Sequence, residues 1–342
     1  MDVSKLIRKN ILELKPYSSA RDEFEGEASV FLDANENPYS SLYNRYPDPH
    51  QKNLKQKIAS IKKVSENQIF LGNGSDEVID LLIRAFCEPA IDEVLIPQPT
   101  YGMYSVSAAI NNVKVNQVQL SHSFDLDLAS TLNAITPNIK LIFLCSPNNP
   151  SGNLLSQDRI IKLLDSFNRI IIIDEAYIDF THAESFIRML GRYKNLVVLQ
   201  TLSKAWGLAG IRLGMCFASP EIIVALNKIK PPYNISSTTQ AIALERLNNI
   251  ESKNKQLNEI LEQRKLLNTE LTSIKVAEHV YPSDANFILV RIKSAKDVYQ
   301  RLLSKGIVLR DRSNIILCND CLRITIGTPE ENQILLNEMK AL

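Results

Sequence analysis

Short aliphatic runs, each followed by a polar or glycine-rich loop and then by apolar residues at helical spacing, recur from Gln68 onward. Ile69-Phe70-Leu71 leads into Gly72-Asn73-Gly74-Ser75-Asp76-Glu77, after which Val78, Leu81, Leu82, Ala85 and Phe86 share one helical face. Val94-Leu95-Ile96 leads into Pro97-Gln98-Pro99-Thr100-Tyr101, Leu141 to Cys145 into Ser146-Pro147-Asn148-Asn149-Pro150-Ser151-Gly152, and Ile170 to Ile173 into Asp174-Glu175-Ala176-Tyr177. Leu196 to Leu199 leads into Thr201 through Arg212, and Met215 to Ala218 is one more strand. Continuous aliphatic runs mark strands buried on both faces, as in a mainly parallel sheet covered by helices. The predicted fold is therefore α/β, with a large mainly parallel (mixed) sheet. In such sheets ligands bind outside the carboxyl ends of the strands. Every polar loop named here follows its strand, so all of them converge on one crevice.

The flanks read differently. Residues 1–35 form an N-terminal arm, with a short amphipathic helix over Val3 to Leu14 that Lys15-Pro16-Tyr17 ends. Residues 36–250 form the large unit. Ser237 to about Thr272 is a long charged helical pattern, broken near Asn248. Residues 251–342 alternate short strands (Ala285 to Ile292, Ile307 to Arg310, Leu322 to Ile326) with helices, which predicts a smaller α/β domain. The arm is too short to fold alone and is expected to pack on that smaller domain.

Composition changes this picture little. The 342 residues are 45% apolar and 23% charged, with a formal net charge of +1, so no broad pull toward nucleic acid or an anionic membrane is implied. No apolar run approaches the length that spans a bilayer. Cys87, Cys145, Cys216, Cys318 and Cys321 are scattered, as expected of reduced thiols in a cytoplasmic protein. Cys318 and Cys321 make a C-x-x-C with no second pair and no histidine cluster, which argues against a metal site.

The convergent loops carry the chemistry. Lys204 follows a buried strand within Thr201-Leu202-Ser203-Lys204-Ala205-Trp206-Gly207-Leu208-Ala209-Gly210-Ile211-Arg212. A lysine there either opens an exposed helix or, with its pKa lowered, forms a Schiff base with a carbonyl. Gly72 to Glu77 opens a helix with free N–H groups, suited to one phosphate. The spacing is not a dinucleotide fingerprint, since Glu77 stands where the third glycine belongs, and no lysine follows as in a Walker loop. Ser75 also serves as a simple N-cap. Asp174 ends four isoleucines, a desolvated position that calls for a cationic or hydrogen-bonding partner, better a ligand nitrogen than a metal. Tyr177 and Tyr101 can reach the same ligand.

Ser203-Lys204-Ala205-Trp206-Gly207-Leu208-Ala209-Gly210-Ile211-Arg212, Asp174-Glu175-Ala176-Tyr177 and Ser146-Pro147-Asn148-Asn149-Pro150-Ser151-Gly152 resemble, in order and spacing, the pyridoxal-phosphate aminotransferases of fold type I. Lys15-Pro16-Tyr17, Leu32 to Pro38, Arg45-Tyr46-Pro47-Asp48-Pro49, Gly74 to Glu77 and Cys321 to Gly327 are similar to the histidinol-phosphate branch of that family. The resemblance implies pyridoxal 5'-phosphate as cofactor. Lys204 would hold its aldehyde and act as base, Asp174 would keep the ring nitrogen protonated, Asn149 and Tyr177 would face the ring hydroxyl, and Tyr101 would stack on the ring. Gly74, Ser75, Asp76, Thr201, Ser203 and Arg212 would hold the cofactor phosphate, with Tyr46 reaching it from the neighbouring subunit of a homodimer.

The same resemblance places Arg323, Arg310, Tyr17 and Asn35 at the substrate, the arginines and Tyr17 on its phosphate. The substrates implied are L-histidinol phosphate and 2-oxoglutarate/glutamate. A surface salt bridge to Asp311 or Asp320 is the plain alternative for Arg310. Rival functions are an aromatic-amino-acid aminotransferase, a threonine-phosphate decarboxylase on the same scaffold, or a cofactor-sensing regulator, which would need a DNA-binding region the chain has no room for before Phe31. Ser151 replaces the commoner threonine of Asn-Pro-Thr-Gly. Trp206 replaces a frequent phenylalanine and is expected to narrow the pocket beside Lys204.

Overall fold

The computed structural model describes residues 2–18, 26 and 28–342. Seven strands, β1 Ile69–Asn73, β2 Glu93–Gln98, β3 Lys114–Gln119, β4 Ile139–Cys145, β5 Ile170–Asp174, β6 Leu196–Thr201 and β7 Leu213–Ala218, form one sheet in the order β1-β7-β6-β5-β4-β2-β3. All run in the same direction except β7, which is antiparallel to both β6 and β1. The strand alternation splits the isoleucine run between two cores. Ile170 and Ile172 of β5 enter one apolar cluster, Ile171 and Ile173 the other, and Leu196 to Leu199 of β6 divide the same way. Each of these side chains is fully buried, at about 1.5–3 kcal/mol apiece, which is why β5 and β6 lie mid-sheet.

Among the described residues the α-helices are, in chain order, α1 Lys9–Glu13, α2 Lys52–Lys62, α3 Ser75–Phe86, α4 Met103–Ile110, α5 Leu128–Asn133, α6 Gln157–Ser166, α7 Pro220–Ile229, α8 Ser237–Asn248, α9 Ile250–Thr272, α10 Ala295–Ser304 and α11 Pro329–Lys340. Helices α3, α4 and α7 contribute apolar residues to one face of the sheet, α2, α6 and α8 to the other. The expected break near Asn248 is a cap: the Asn249 side chain accepts from Ser252 N and starts α9 afresh.

A second, antiparallel sheet of β8 Ala277–Val280, β9 Phe287–Ile292, β10 Arg310–Asp311 and β11 Cys321–Thr325 has the order β10-β11-β9-β8. It packs with α9, α10 and α11 around Leu267, Ile288, Leu302 and Leu336. Tyr177, Phe180 and Ala205 of the large unit meet Ala285 and Phe287 of the small one in a further apolar cluster, so the two sheets share a wall beside Lys204. Asp284 strengthens that seam, donating from its N–H to Gly152 O at 2.7 Å and accepting from Leu154 N at 2.9 Å.

Three sequence expectations change. The first part of the N-terminal arm, Val3 to Leu12, lies on the large unit, not the small one. Val3 is buried in the large-unit core, Arg8 N donates to Ala85 O, and its guanidinium pairs with Glu88 at 3.0 Å. Apolar residues of the arm find α7 there; positions 1, 19–25 and 27 of the arm lie outside the described residues. The single helix over Val3 to Leu14 is a 3-10 turn, Val3–Leu6, followed by the short α1. The strand expected over Ile307 to Arg310 is shifted to Arg310–Asp311. Among the described residues no helix is long and apolar enough to cross a membrane.

Candidate active site

The carboxyl ends of β1, β2, β4, β5 and β6 open on a cavity of about 410 Å³ bordered by Ser75, Asp76, Tyr101, Asn149, Asp174, Tyr177, Thr201, Ser203, Lys204, Arg212, Arg310 and Arg323. The antiparallel β7 starts where those strands end, which delivers Arg212 to the same rim. Thr201 lies opposite Gly214 and Asn73 opposite Leu213, so residues 202–212 form a loop that closes on the cavity. No α-helix follows Lys204; turns and a 3-10 segment over Ala209–Ile211 do.

The anion-holding end is built at the start of α3. Gly74, not Ser75, occupies the cap position, and no side chain caps it, so the first N–H groups of the helix stay available. Gly74 has φ +76°, and a Cβ there would come within 2.7 Å of Arg212 Nη2. Gly214 packs so closely that a Cβ on it would lie 2.3 Å from Ser75 N. Two glycines thus let α3, β7 and the Arg212 side chain close on one point. Asp76 pairs with Arg212 at 3.5 Å and accepts from the Tyr101 hydroxyl at 3.0 Å.

At the other end Asp174 is buried, and desolvation raises its pKa above the usual carboxylate range. Two donors oppose that shift: the Tyr104 hydroxyl at 2.7 Å on Oδ2 and Ala176 N at 3.0 Å on Oδ1. Lys204 lines the same cavity, its Nζ 5.5 Å from the centroid of the Tyr177 ring. Burial, then the positive charge of Arg323, lowers its pKa. Arg323 lies over Phe287 at 5.2 Å and donates to Asn149 Oδ1 at 2.6 Å; burial lowers its pKa too. Arg310 is its cross-strand neighbour and, among the described residues, forms no ion pair with Asp311 or Asp320.

Tyr17, Asn35 and Tyr46 are not brought to this cavity. Tyr17 is 74% exposed and borders a separate groove with Pro49, His50 and Lys228; Asn35 is exposed; Tyr46 stacks on Tyr233 at 4.4 Å. Trp206 is buried in the core with Lys253 above it and does not narrow the cavity, because its ring turns away from Lys204 into the cluster that Leu202 and Leu247 share. Tyr104, Cys145 and Arg312 also belong to the site and carry no sequence signal of their own: a tyrosine inside a helix and a cysteine inside a strand read as core.

A lysine with a lowered pKa, a buried carboxylate and free helix N–H groups beside an arginine thus gather at the strand ends of an α/β sheet. The chain belongs to the class I and II aminotransferases, whose family model matches residues 28–339. It is 57% identical over 339 residues to the histidinol-phosphate aminotransferase of Parabacteroides distasonis, covering 99% of this chain and 98% of that one. It is 53% identical to the enzyme of the same name from Cytophaga hutchinsonii, covering 98% and 97% of the two chains. The crystal structure of the histidinol-phosphate aminotransferase from Clostridium acetobutylicum superposes with a TM-score of 0.81 at 28% identity, over 87% of this chain and 90% of that one.

Aminotransferases of this family use pyridoxal 5'-phosphate. The cavity fits that group on its own terms. It offers an amine with a lowered pKa, a desolvated carboxylate across from it, and helix N–H groups beside a guanidinium where a Cβ would intrude.

Proposed function

We propose that this protein catalyses reversible amino transfer between L-histidinol phosphate and 2-oxoglutarate, giving imidazole acetol phosphate and L-glutamate, a step of histidine biosynthesis. The observation that carries this is the pairing of Arg310 with Arg323, free of carboxylate partners among the described residues, on the cavity that holds Lys204 and Asp174. Two guanidinium groups side by side suit a dianionic phosphate. The names of the relatives at 57% and 53% identity support the substrate assignment.

Bound pyridoxal phosphate supplies an aldehyde for the amino group and a ring that takes up the electron pair of the substrate's Cα–H bond. Lys204 would hold that aldehyde, and its Nζ would serve as the base that takes the proton from the substrate's α-carbon and returns one on the reverse path. The lowered pKa leaves more Nζ unprotonated for both tasks. Asp174 would keep a proton on the ring nitrogen, and that positive charge would offset the cost of keeping the carboxylate charged in the core. Asn149 and Tyr177 would orient the ring, and Tyr101 would cover it. Ser75 and Asp76 through their backbone N–H groups, Thr201 and Ser203 through their hydroxyls, and Arg212 would hold the phosphate; the Gly74 N–H donates to Arg212 O at 2.8 Å and so ties that arginine to the cradle instead of binding the phosphate itself. Arg323 with Arg310 grips the substrate.

The active enzyme is proposed as a homodimer in which Tyr46 completes the neighbouring site. Leu32, Tyr39, Leu42, Tyr43 and Tyr46 are 53–88% exposed within fifteen residues, an apolar strip of the kind that partners cover. A cytoplasmic location accords with five cysteines that are all free.

The test is a half reaction. Holoenzyme is offered L-histidinol phosphate, phenylalanine and threonine phosphate separately, and the cofactor absorbance is followed. Conversion to the amine form by histidinol phosphate, far faster than by the other two, is expected, with ping-pong kinetics in the full reaction. No conversion by histidinol phosphate would sink the assignment.

A further inference from the structure

Arg312 borders the same cavity as Arg310 and Arg323. Its N–H donates to Cys321 O at 2.9 Å, which carries the β10–β11 ladder one residue past Asp311. In that ladder Arg310 faces Arg323 and Asp311 faces Leu322. Strand alternation therefore returns Arg312 to the face that Arg310 and Arg323 share, while Leu322 turns into the core of the small unit.

A partly buried cation is ordinarily matched by a carboxylate. Arg312 and Arg323 are partly buried and Arg310 is exposed, and none of the three forms an ion pair among the described residues. Asp311, the nearest acid in sequence, accepts from Ser313 N instead. The Arg312 side chain makes no hydrogen bond among the described residues, and its Nε is enclosed without a partner. Burial, then Arg323 and Arg310, pulls its pKa down to about 10. Three like charges held together, two of them (Arg312 and Arg323) with an enclosed and unpartnered Nε, leave an unmet demand for negative charge.

The two substrates differ in how far they meet it. A carboxylate brings one charge and two oxygens, which a single guanidinium in fork geometry satisfies, and Arg323 is held for that by Asn149 and Phe287. A phosphate brings up to two charges and three free oxygens, enough for a second and third arginine. On the reading that one substrate ends in a phosphate, we propose that Arg312 is a specificity-determining residue, contacting that phosphate and leaving the carboxylate of the amino-acid partner to Arg323. It discriminates between the two half reactions that share the site.

The experiment compares wild-type holoenzyme with Arg312→Gln and Arg312→Lys. Loss of one charge-assisted contact raises KM for L-histidinol phosphate on the order of 30-fold in the glutamine variant, with kcat and KM for glutamate within about twofold. The lysine variant recovers part of the loss. Inorganic phosphate, a competitor for the same subsite, inhibits the glutamate half reaction more weakly in Arg312→Gln. In the wild type, KM for the phosphate substrate falls as pH rises through about 6, where the dianion forms, and that dependence is shallower in the variant. Equal changes in KM for both substrates, or none, would overturn the proposal and leave Arg312 a strand-packing residue. Should wild-type enzyme not turn over histidinol phosphate, the function proposed above fails instead. Inorganic phosphate inhibition then decides on Arg312 alone: weaker in the variant supports it, unchanged overturns it.

Discussion

The Tyr104 hydroxyl donates to Asp174 Oδ2 at 2.7 Å, with the tyrosine ring stacked on Phe143 at 4.9 Å and wholly buried. A neutral phenol beside a desolvated carboxylate favours its charged form, the form that a ring cation needs. Tyr104→Phe removes that donor and raises the pKa of Asp174 further. The expected result is a loss of about 1–3 kcal/mol in holoenzyme stability, read by urea unfolding. The acid limb of kcat moves to higher pH, because more of Asp174 is protonated at any given pH. An unmoved acid limb would show that Tyr104 only packs.

Asp174 itself makes the apoprotein pH-sensitive. Its folded pKa is raised, so the folded chain binds this proton more tightly than the unfolded chain does. The resulting stability is present below the ordinary carboxylate range, about pH 4, and is lost as pH rises through the raised pKa. Asp174→Asn should flatten that decline in apoprotein denaturation curves. It should also lower turnover by about 100-fold or more, as expected when a preorganised charge is removed.

Gly74→Ala tests the cradle. The added Cβ meets Arg212 Nη2 at 2.7 Å, at a backbone φ of +76° that alanine tolerates poorly. Cofactor affinity should fall roughly tenfold, which corresponds to one weakened charge-assisted contact, measured by absorbance titration of apoprotein. Affinity equal to the wild type would mean that Arg212 is not needed at the phosphate.

Lys204→Ala should abolish turnover even where some cofactor still binds; retained turnover would overturn the proposed chemistry. A finer probe is Arg323→Gln. Arg323 is the leading charge that lowers the Lys204 pKa, so removing it shifts that pKa up, toward the ordinary lysine range. Borohydride trapping of an aldehyde on Lys204 across a pH series should then reach its midpoint at a higher pH than in wild type.

Much of the large sheet is legible in the chain's own pattern. The aliphatic runs of β1, β2, β4, β5, β6 and β7 and the placement of Lys204 and Asp174 just past two of them follow from burial on both faces of a central strand, a pattern each run carries within itself. β3 and β8 have no such run, being an edge strand and a largely exposed one, and nothing in the hydrophobic pattern marks them. Tyr17 and Asn35 resemble substrate-binding residues, yet the described chain holds them outside the cavity. Tyr46 could act only across a subunit boundary that one chain does not contain.

Hydrophobic periodicity and turn chemistry act over neighbouring positions, so the order of residues suffices to say which segments are buried strands, which loops end them, and which residue types stand at those ends. Long-range packing had to decide that β7 runs against its neighbours and so delivers Arg212 to Ser75 and Gly74. It also aims Tyr104 of α4 at Asp174, and sets Arg310 and Arg312 of the β10 segment beside Arg323 on one face. Those pairings join residues that are far apart along the chain, and backbone hydrogen bonds between distant strands, which no local pattern encodes, bring them together.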